Sequence, residues 1–142
     1  MKRTTRALMS LALVGAVLGG CNQATTSAPK EEAIHMDEQA SGLKQLTLSA
    51  KAAERLGVET APVAGSGSAL TVPYAAVIYD AQGDTWSYVN TEPLVFLRSQ
   101  ITVEEIDGST AVLSAGPEVG TSVVTTGAAE LYGAEIGVGG GH

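Results

Sequence analysis

Residues 85–106 read TWSYVNTEPLVFLRSQITVEEI, and this stretch decides the fold class. Its two halves, Thr85–Asn90 and Leu94–Ile106, are rich in the β-branched and aromatic residues that favour strands. Trp86 and Tyr88 lie two positions apart, so a strand places both of their side chains on one face. The stretch therefore predicts two strands near the middle of the chain.

Four more runs of the same composition flank this stretch. They are Val58–Val63, Ala69–Tyr79, Thr110–Ser114 and Ser122–Thr126. Short segments containing Gly, Pro, Asp and Asn, the residues that favour turns, separate neighbouring runs. This spacing predicts a mainly β fold, a small antiparallel β-barrel or β-sandwich.

One short helix is predicted before these strands. Ser49 is a favourable N-cap for residues 50–57, and Gly57 is a residue type that commonly ends a helix. A helix of about two turns is unstable alone. We therefore expect it to pack against the β structure.

The chain opens with the pattern of an export signal. Lys2, Arg3 and Arg6 form a basic region, and residues 7–18 are apolar without a charged side chain. This layout is typical of a secretory signal peptide. The apolar run is too short for a membrane-spanning helix, which takes about 20 apolar residues. We expect residues 1–20 to be a signal peptide.

A cysteine follows the predicted signal peptide. The sequence Leu18-Gly19-Gly20-Cys21 resembles the lipobox of bacterial lipoproteins. The resemblance implies cleavage between Gly20 and Cys21, and attachment of lipid, such as palmitate, to the Cys21 thiol. The alternative is an ordinary signal peptide with an incidental cysteine. Cys21 is the only cysteine, and lipidation accounts for a lone thiol in a secreted protein.

The rest of the chain divides by composition into three parts. Residues 21–43 are small, polar and charged, so we expect a flexible tether. Residues 44–133 contain the predicted strands and helix and form one β-domain. Residues 134–142 are rich in glycine, and we expect them to be a disordered tail.

The charge of the mature chain excludes one class of partner. Removal of residues 1–20 takes three of the eight basic residues and none of the fifteen acidic ones, which leaves a formal charge of −10. Binding to nucleic acid requires clustered Lys and Arg, so nucleic acid is excluded as a partner. The same charge argues against attraction to an anionic membrane surface. The predicted link to the membrane is therefore the lipid anchor.

The sequence offers no fixed catalytic group. Its two histidines, His35 and His142, lie in the predicted tether and tail, where no rigid surroundings would hold them. Asp80 and Asp84 flank a predicted turn and are explained as turn residues. We therefore expect a protein that is not an enzyme and uses no cofactor.

Metal binding is an alternative function. His35, Met36, Asp37 and Glu38 offer a nitrogen, a thioether and two carboxylates within four residues, a set that can bind Cu(I) or another soft cation loosely. The simpler interpretation is a solvated acidic tether in which the His and the Met occur by chance. The alternative function is a stand-alone lipoprotein that binds a metal, through His35 and Met36, or another small ligand.

The few aromatic residues are the candidates for core packing or partner contact. They are Tyr74, Tyr79, Trp86, Tyr88, Phe96 and Tyr132. In the simpler interpretation they fill the core of a small barrel. In the alternative, Trp86 or Tyr88 is a surface anchor for a partner, a role in which such residues are enriched.

Four segments, taken in order, carry a family resemblance. They are VPYAAVIYD at 72–80, GDTWSYV at 83–89, FLRSQITV at 96–103 and GPEVGTSVVTTGAAEL at 116–131. They resemble the membrane-proximal domain of the periplasmic adaptor subunits, also called membrane fusion proteins, of RND-type efflux transporters. Residues 46–63 resemble the strand and short helix that open that domain, so the resemblance covers most of residues 46–132.

The chain also departs from this family. A full adaptor has a lipoyl-like domain and usually a helical hairpin, but here only residues 64–70 lie between the matching segments. The family's GL.pGd pattern lacks its Leu and Asp at residues 116–121. The resemblance therefore implies an adaptor truncated to its membrane-proximal domain.

The resemblance implies a function without catalysis. In the family this domain packs against the periplasmic part of an inner-membrane transporter. By the same resemblance we expect partner contacts around Tyr74, Trp86 and Arg98, with core packing of the first two as the alternative. The predicted location is the cell envelope, lipid-anchored to the extracytoplasmic face of the cell membrane. The sequence leaves open whether the chain forms a homo-oligomer.

Overall fold

The computed structural model describes residues 32–138 and shows a mainly β protein. The described part contains helix α1 (Ala50–Leu56), helix α2 (Ala128–Glu135), a 3-10 turn (Tyr74–Ala76) and ten strands: β1 (Ile34–Glu38), β2 (Lys44–Leu48), β3 (Glu59–Pro62), β4 (Ala64–Ser66), β5 (Ala69–Pro73), β6 (Ile78–Tyr79), β7 (Thr85–Glu92), β8 (Val95–Asp107), β9 (Thr110–Ala115) and β10 (Ser122–Thr126). No helix within residues 32–138 is both long enough and apolar enough to span a bilayer.

The strands form one antiparallel sheet that curls into a nearly closed barrel. The order is β3-β10-β7-β8-β9-β5-β4, with β2 added to β8, β1 added to β2 and β6 added to β7. Strand β8 connects the two halves of the sheet, because its first part pairs with β7 and its last part with β9. The pairing of β8 with β9 shifts register between Thr102 and Glu105, and such irregularities bend a strand. The prediction of a mainly β fold, a small antiparallel barrel or sandwich, is confirmed, and the barrel is the form observed.

Two hydrophobic clusters fill the interior. The larger one lies against both helices and includes Leu46, Tyr88, Phe96, Val124 and Leu131. The smaller one includes Val63, Val72, Ile101, Leu113 and Val123. Strand β10 contributes to both clusters, since neighbouring residues of a strand point to opposite faces and both Val123 and Val124 are fully buried.

Helix α1 begins and ends where the sequence predicts. The Ser49 hydroxyl accepts a hydrogen bond from the Ala52 amide at 3.2 Å, which satisfies one of the free amides of the first turn. Gly57 ends the helix in the left-handed region, with φ of 60°, a conformation that costs glycine little. The buried Ala52 packs on the larger cluster, as expected for a helix too short to be stable alone.

The prediction that the flexible tether extends to residue 43 is wrong. Residues 34–38 form strand β1, which pairs with β2 from Ile34 opposite Leu48 to Glu38 opposite Lys44. The order comes mainly from backbone hydrogen bonds, which leave no mark on side-chain composition, and from partial burial of Ile34 against the larger cluster. The predictions for the signal peptide, for Gly20 and Cys21 and for tether residues 21–31 lie outside the described residues.

The boundary of the predicted tail is also wrong. Helix α2, which the composition did not predict, runs through Ala134 to Glu135. Leu131 and Glu135 lie four residues apart and therefore on one face of the helix, and both are buried. This face packs against the barrel and orders the segment. Residues 139–142, with His142, lie outside the described part of the chain.

The predicted strand Ala69–Tyr79 is interrupted. Strand β5 ends at Pro73, and a 3-10 turn follows before the short strand β6. Pro73 cannot donate to a sheet and fixes its own φ. The Tyr74 carbonyl instead accepts a hydrogen bond from the Val77 amide, which closes the turn.

Candidate functional site

The candidate site is built on a cross-strand pair in the barrel wall. Tyr88 on β7 lies opposite Arg98 on β8 in the register of the sheet. Tyr88 is fully buried in the larger hydrophobic cluster, whereas the Arg98 side chain is about one-seventh exposed, at 15%. The pair thus links the interior of the barrel to its surface.

Glu135 from α2 completes this arrangement. Its carboxylate is 4% exposed and accepts hydrogen bonds from the Tyr88 hydroxyl on one oxygen and from Arg98 Nε, at 3.0 Å, on the other. Lys44 Nζ on β2 donates to the Glu135 backbone carbonyl at 2.9 Å. A buried carboxylate requires such partners, so these contacts fix the end of α2 against the barrel.

The environment of Tyr88 keeps its hydroxyl protonated. Burial raises the pKa of Tyr88 well above its ordinary value, and the hydrogen bond to Glu135 and the carboxylate charge raise it further. The nearby Arg98 charge opposes this rise only in part. Tyr88 therefore acts here as a hydrogen-bond donor and not as a source of charge.

Arg98 also stacks on two aromatic rings. Its guanidinium carbon lies 4.6 Å from the ring centre of Trp86 and 5.5 Å from that of Tyr132. Both distances are within the range of cation–π attraction. We call the set Trp86, Tyr88, Arg98, Tyr132 and Glu135 the aromatic–arginine cluster.

Asp80 holds the indole N–H of Trp86. The Trp86 indole N–H donates to Asp80 Oδ2 at 2.9 Å, and the backbone amides of Gln82 and Asp84 donate to Oδ1. Burial by itself would raise the pKa of Asp80, but these hydrogen bonds and one from the Gly83 amide lower it below its ordinary value. The interpretation of Asp80 as a turn residue is confirmed, and it has the further role of holding Trp86.

Tyr74 lies outside this cluster and has a different aromatic neighbour. It starts the 3-10 turn and is 42% exposed, and Tyr79 on β6 is 51% exposed. Hydrogen bonding to Tyr74 raises the pKa of Tyr79, and slight burial and the Tyr74 charge add to the rise. The two tyrosines form an exposed aromatic pair on the barrel.

The predicted contact residues are thus divided between two places. The structure brings Trp86 and Arg98 into direct contact and gives Tyr74 a separate exposed position beside Tyr79. The sequence did not single out Glu135, although it follows Leu131 by one helical turn. A helix drawn from Ala128 would have placed both on the buried face.

The alternative metal residues lie on strand β1. His35 Nδ1 is 3.5 Å from Glu32 and His35 Nε2 is 3.2 Å from Asp37, all of them exposed. As neighbours on a strand, His35 and Met36 point to opposite faces. Within residues 32–138 no three or more His, Cys, Asp or Glu side chains are grouped in a way that could hold a metal ion. Metal binding at His35 and Met36 stays a prediction.

The aromatic–arginine cluster joins β7, β8 and α2 through hydrogen bonds and cation–π contacts. Glu135 accepts hydrogen bonds from Tyr88 and Arg98. The Trp86 N–H is satisfied by Asp80 outside the cluster, and no buried side-chain polar atom of the described residues lacks a hydrogen bond. Such a network stabilises a unique packing. No protein-family model, curated protein or solved structure matches this chain.

Proposed function

We propose that this protein is a non-enzymatic accessory subunit, held at the extracytoplasmic face of the membrane by lipid on Cys21, that docks against an integral membrane transporter of the efflux type. The lipobox-like sequence ending at Cys21 and the resemblance to adaptor subunits support this proposal. The barrel is consistent with it, because the membrane-proximal domain of that family is also mainly β.

The exposed pair Tyr74 and Tyr79 is the observation on which the docking proposal rests. Tyr88 and Phe96 are buried in the core, whereas Tyr74 and Tyr79 are 42% and 51% exposed and lie beside each other. Tyrosine is enriched among the residues that dominate binding energy at protein interfaces. It provides a large contact area with few rotatable bonds.

The backbone beneath this pair is fixed. The Tyr74 amide donates to the Ser109 carbonyl at 2.8 Å, and the buried Ser87 hydroxyl donates to the Ala76 carbonyl at 2.9 Å. These bonds tie the 3-10 turn to the turn between β8 and β9 and to strand β7. A surface that is already ordered loses less entropy when it binds a partner.

Trp86 and Arg98 have a supporting role in this proposal. Arg98 is engaged by Glu135 and covered by the rings of Trp86 and Tyr132. It therefore orients Trp86 for a partner more than it contacts a partner itself. Trp86, half-buried at the edge of β6 and β7, offers the remaining aromatic surface.

Site-specific photocrosslinking in cells tests the proposed docking. A photoreactive phenylalanine analogue replaces Tyr74 or Tyr79 in the full-length chain, and the matched control replaces the exposed Lys51 of α1. We expect adducts with one integral membrane protein from both tyrosine positions and none from position 51. Equal adducts from all three positions, or adducts only with soluble proteins, would overturn the proposal.

The lipid anchor is tested separately. Cells fed with labelled palmitate should incorporate label into the full-length chain and not into the Cys21→Ser variant. The variant should also fractionate away from membranes and give no adduct from position 74. A chain free of label that still fractionates with membranes would refute the anchor while leaving the docking surface to be judged by the crosslinks.

A further inference from the structure

An apolar groove lies between α1, α2 and the start of β1, and neither tyrosine of the exposed pair lines it. Its volume is about 420 Å³, at the lower end of the range of about 300–1,000 Å³ for small-molecule sites. Its apolar wall is made by Ala33, Ile34, Ala52, Leu56, Ala134 and Val138. The described residues begin and end beside this groove, because Ala33 and Val138 both line it.

The shape and size of the groove suit a single alkyl chain. Apart from Arg55 and Glu130, the residues that line it are small or aliphatic, and one of them, Ala52, is buried. A water molecule occupies about 30 Å³ of liquid, and a methylene group is of similar size, so the groove has room for roughly a dozen methylenes.

Two charged residues of opposite sign also line the groove. Arg55 lies in the last turn of α1 and Glu130 in the first turn of α2. Both are exposed, and the ion pairs among the described residues include neither. An anionic head group would be attracted by Arg55 and repelled by Glu130. A zwitterionic head group can place its phosphate near the first and its ammonium near the second.

We propose that this groove binds a single-chain zwitterionic lipid, a lysophospholipid, as a monomer from solution. The alkyl chain lies between α1 and α2 against β1, and the head group lies between Arg55 and Glu130. The proposal does not depend on docking to a transporter. It uses a surface and residues that the proposed docking does not involve.

Calorimetric titration tests this proposal. The mature chain, residues 21–142 with Cys21→Ser, which cannot carry a lipid of its own, is titrated with myristoyl lysophosphatidylethanolamine below the concentration at which it forms micelles. We expect saturable binding of one lipid per chain. Ala134→Trp, which fills the groove, should weaken binding by roughly tenfold or more, or about 1.4 kcal/mol. The matched control Ala129→Trp, exposed on the same helix, should leave binding within roughly twofold.

Misfolding of Ala134→Trp would also weaken binding, so a second variant is needed to separate misfolding from a filled groove. Val138 is 77% exposed, so Val138→Glu places a charge at the mouth of the groove without changing the core. It should weaken lipid binding with an unchanged melting temperature. Equal affinity in the wild-type protein and both groove variants, or binding only to phospholipid vesicles and not to the monomer, would overturn the proposal.

The head group is tested by changing one charge at a time. Glu130→Arg makes the rim wholly basic, so it should raise affinity for myristate and lower affinity for the lysophospholipid. Arg55→Glu makes the rim wholly acidic and should weaken both ligands. Binding of uncharged monomyristoylglycerol as tight as that of the lysophospholipid would show that the rim charges do not recognise the head group.

Discussion

The hydroxyl of Tyr88 on β7 donates a hydrogen bond to the carboxylate of Glu135, a residue 47 positions later in the last turn of α2. Both groups are buried, and Arg98 Nε binds the other carboxylate oxygen. The contact joins the barrel wall to the C-terminal helix. It makes the order of that helix depend on a polar network and not on apolar packing alone.

Removal of the Tyr88 hydroxyl should therefore destabilise the protein. In Tyr88→Phe the ring stays in the core, but one oxygen of the buried Glu135 loses its donor. We expect the free energy of unfolding to fall by about 1–3 kcal/mol, measured by denaturant unfolding of the full-length Cys21→Ser chain. The control Tyr79→Phe, half exposed, should change it by less than about 0.5 kcal/mol. Equal effects would contradict a specific role for Tyr88.

The sequence predicts elements whose side chains carry a local signal. The central strands have runs of β-branched and aromatic residues, and helix α1 has both of its caps in place at Ser49 and Gly57. The mainly β class, a small barrel or sandwich, follows from these elements. The sequence singles out Trp86 as one of the few aromatic residues and names Arg98 only through the family resemblance; the structure places the two in contact.

Strand β1 and helix α2 lack such a signal. Strand β1 consists mainly of exposed polar residues and is ordered by its backbone ladder with β2. Helix α2 contains Gly133, which lowers helix propensity, and its order depends on the contacts of Glu135 with Tyr88 and Arg98. Tyr88 and Glu135 are 47 positions apart. A contact between such distant residues leaves no local pattern, so the sequence predicted a disordered tail that contains Glu135.

Loss of the Glu135 carboxylate should cost more than loss of the hydroxyl. Glu135→Ala leaves the Arg98 charge and the Tyr88 hydroxyl without their buried partner. We expect a loss of about 3–5 kcal/mol, measured by the same unfolding curves. Glu130→Ala, on the exposed face of the same helix, should cost less than about 1 kcal/mol. A small effect of Glu135→Ala would mean that water replaces the network without penalty.

Truncation should locate the true end of the folded domain. A chain that stops after Gly133 lacks Glu135 and loses its hydrogen bonds to Tyr88 and Arg98, so it should unfold at a clearly lower temperature than the full chain. A chain that stops after Val138 keeps every described contact and should melt within about 2 °C of the full chain. If both truncations melt alike, the segment 134–138 is not part of the folded unit.

Two glycines should respond in opposite directions to the same substitution. Gly57 has a φ of 60°, so Gly57→Ala should destabilise the protein by about 1–2 kcal/mol. Gly133 lies inside α2, where an added Cβ would meet only Val138 at an ordinary 3.4 Å. Gly133→Ala should therefore stabilise the protein by about 0.5–1 kcal/mol. Thermal unfolding of the two variants measures both effects, and a stabilising Gly57→Ala would contradict the observed cap.

The raised pKa of Tyr88 predicts a loss of stability at alkaline pH. In the unfolded chain the hydroxyl ionises near its ordinary pKa of 10.0, whereas the folded protein keeps it protonated. Above that pH the unfolded state releases a proton that the folded state retains, so stability is full below about pH 10 and falls as pH rises further. Unfolding curves between pH 8 and 11 should show this decline in the wild-type protein and in Tyr79→Phe. The decline should be shallower in Tyr88→Phe, and the same slope in all three proteins would show that Tyr88 is not the group responsible.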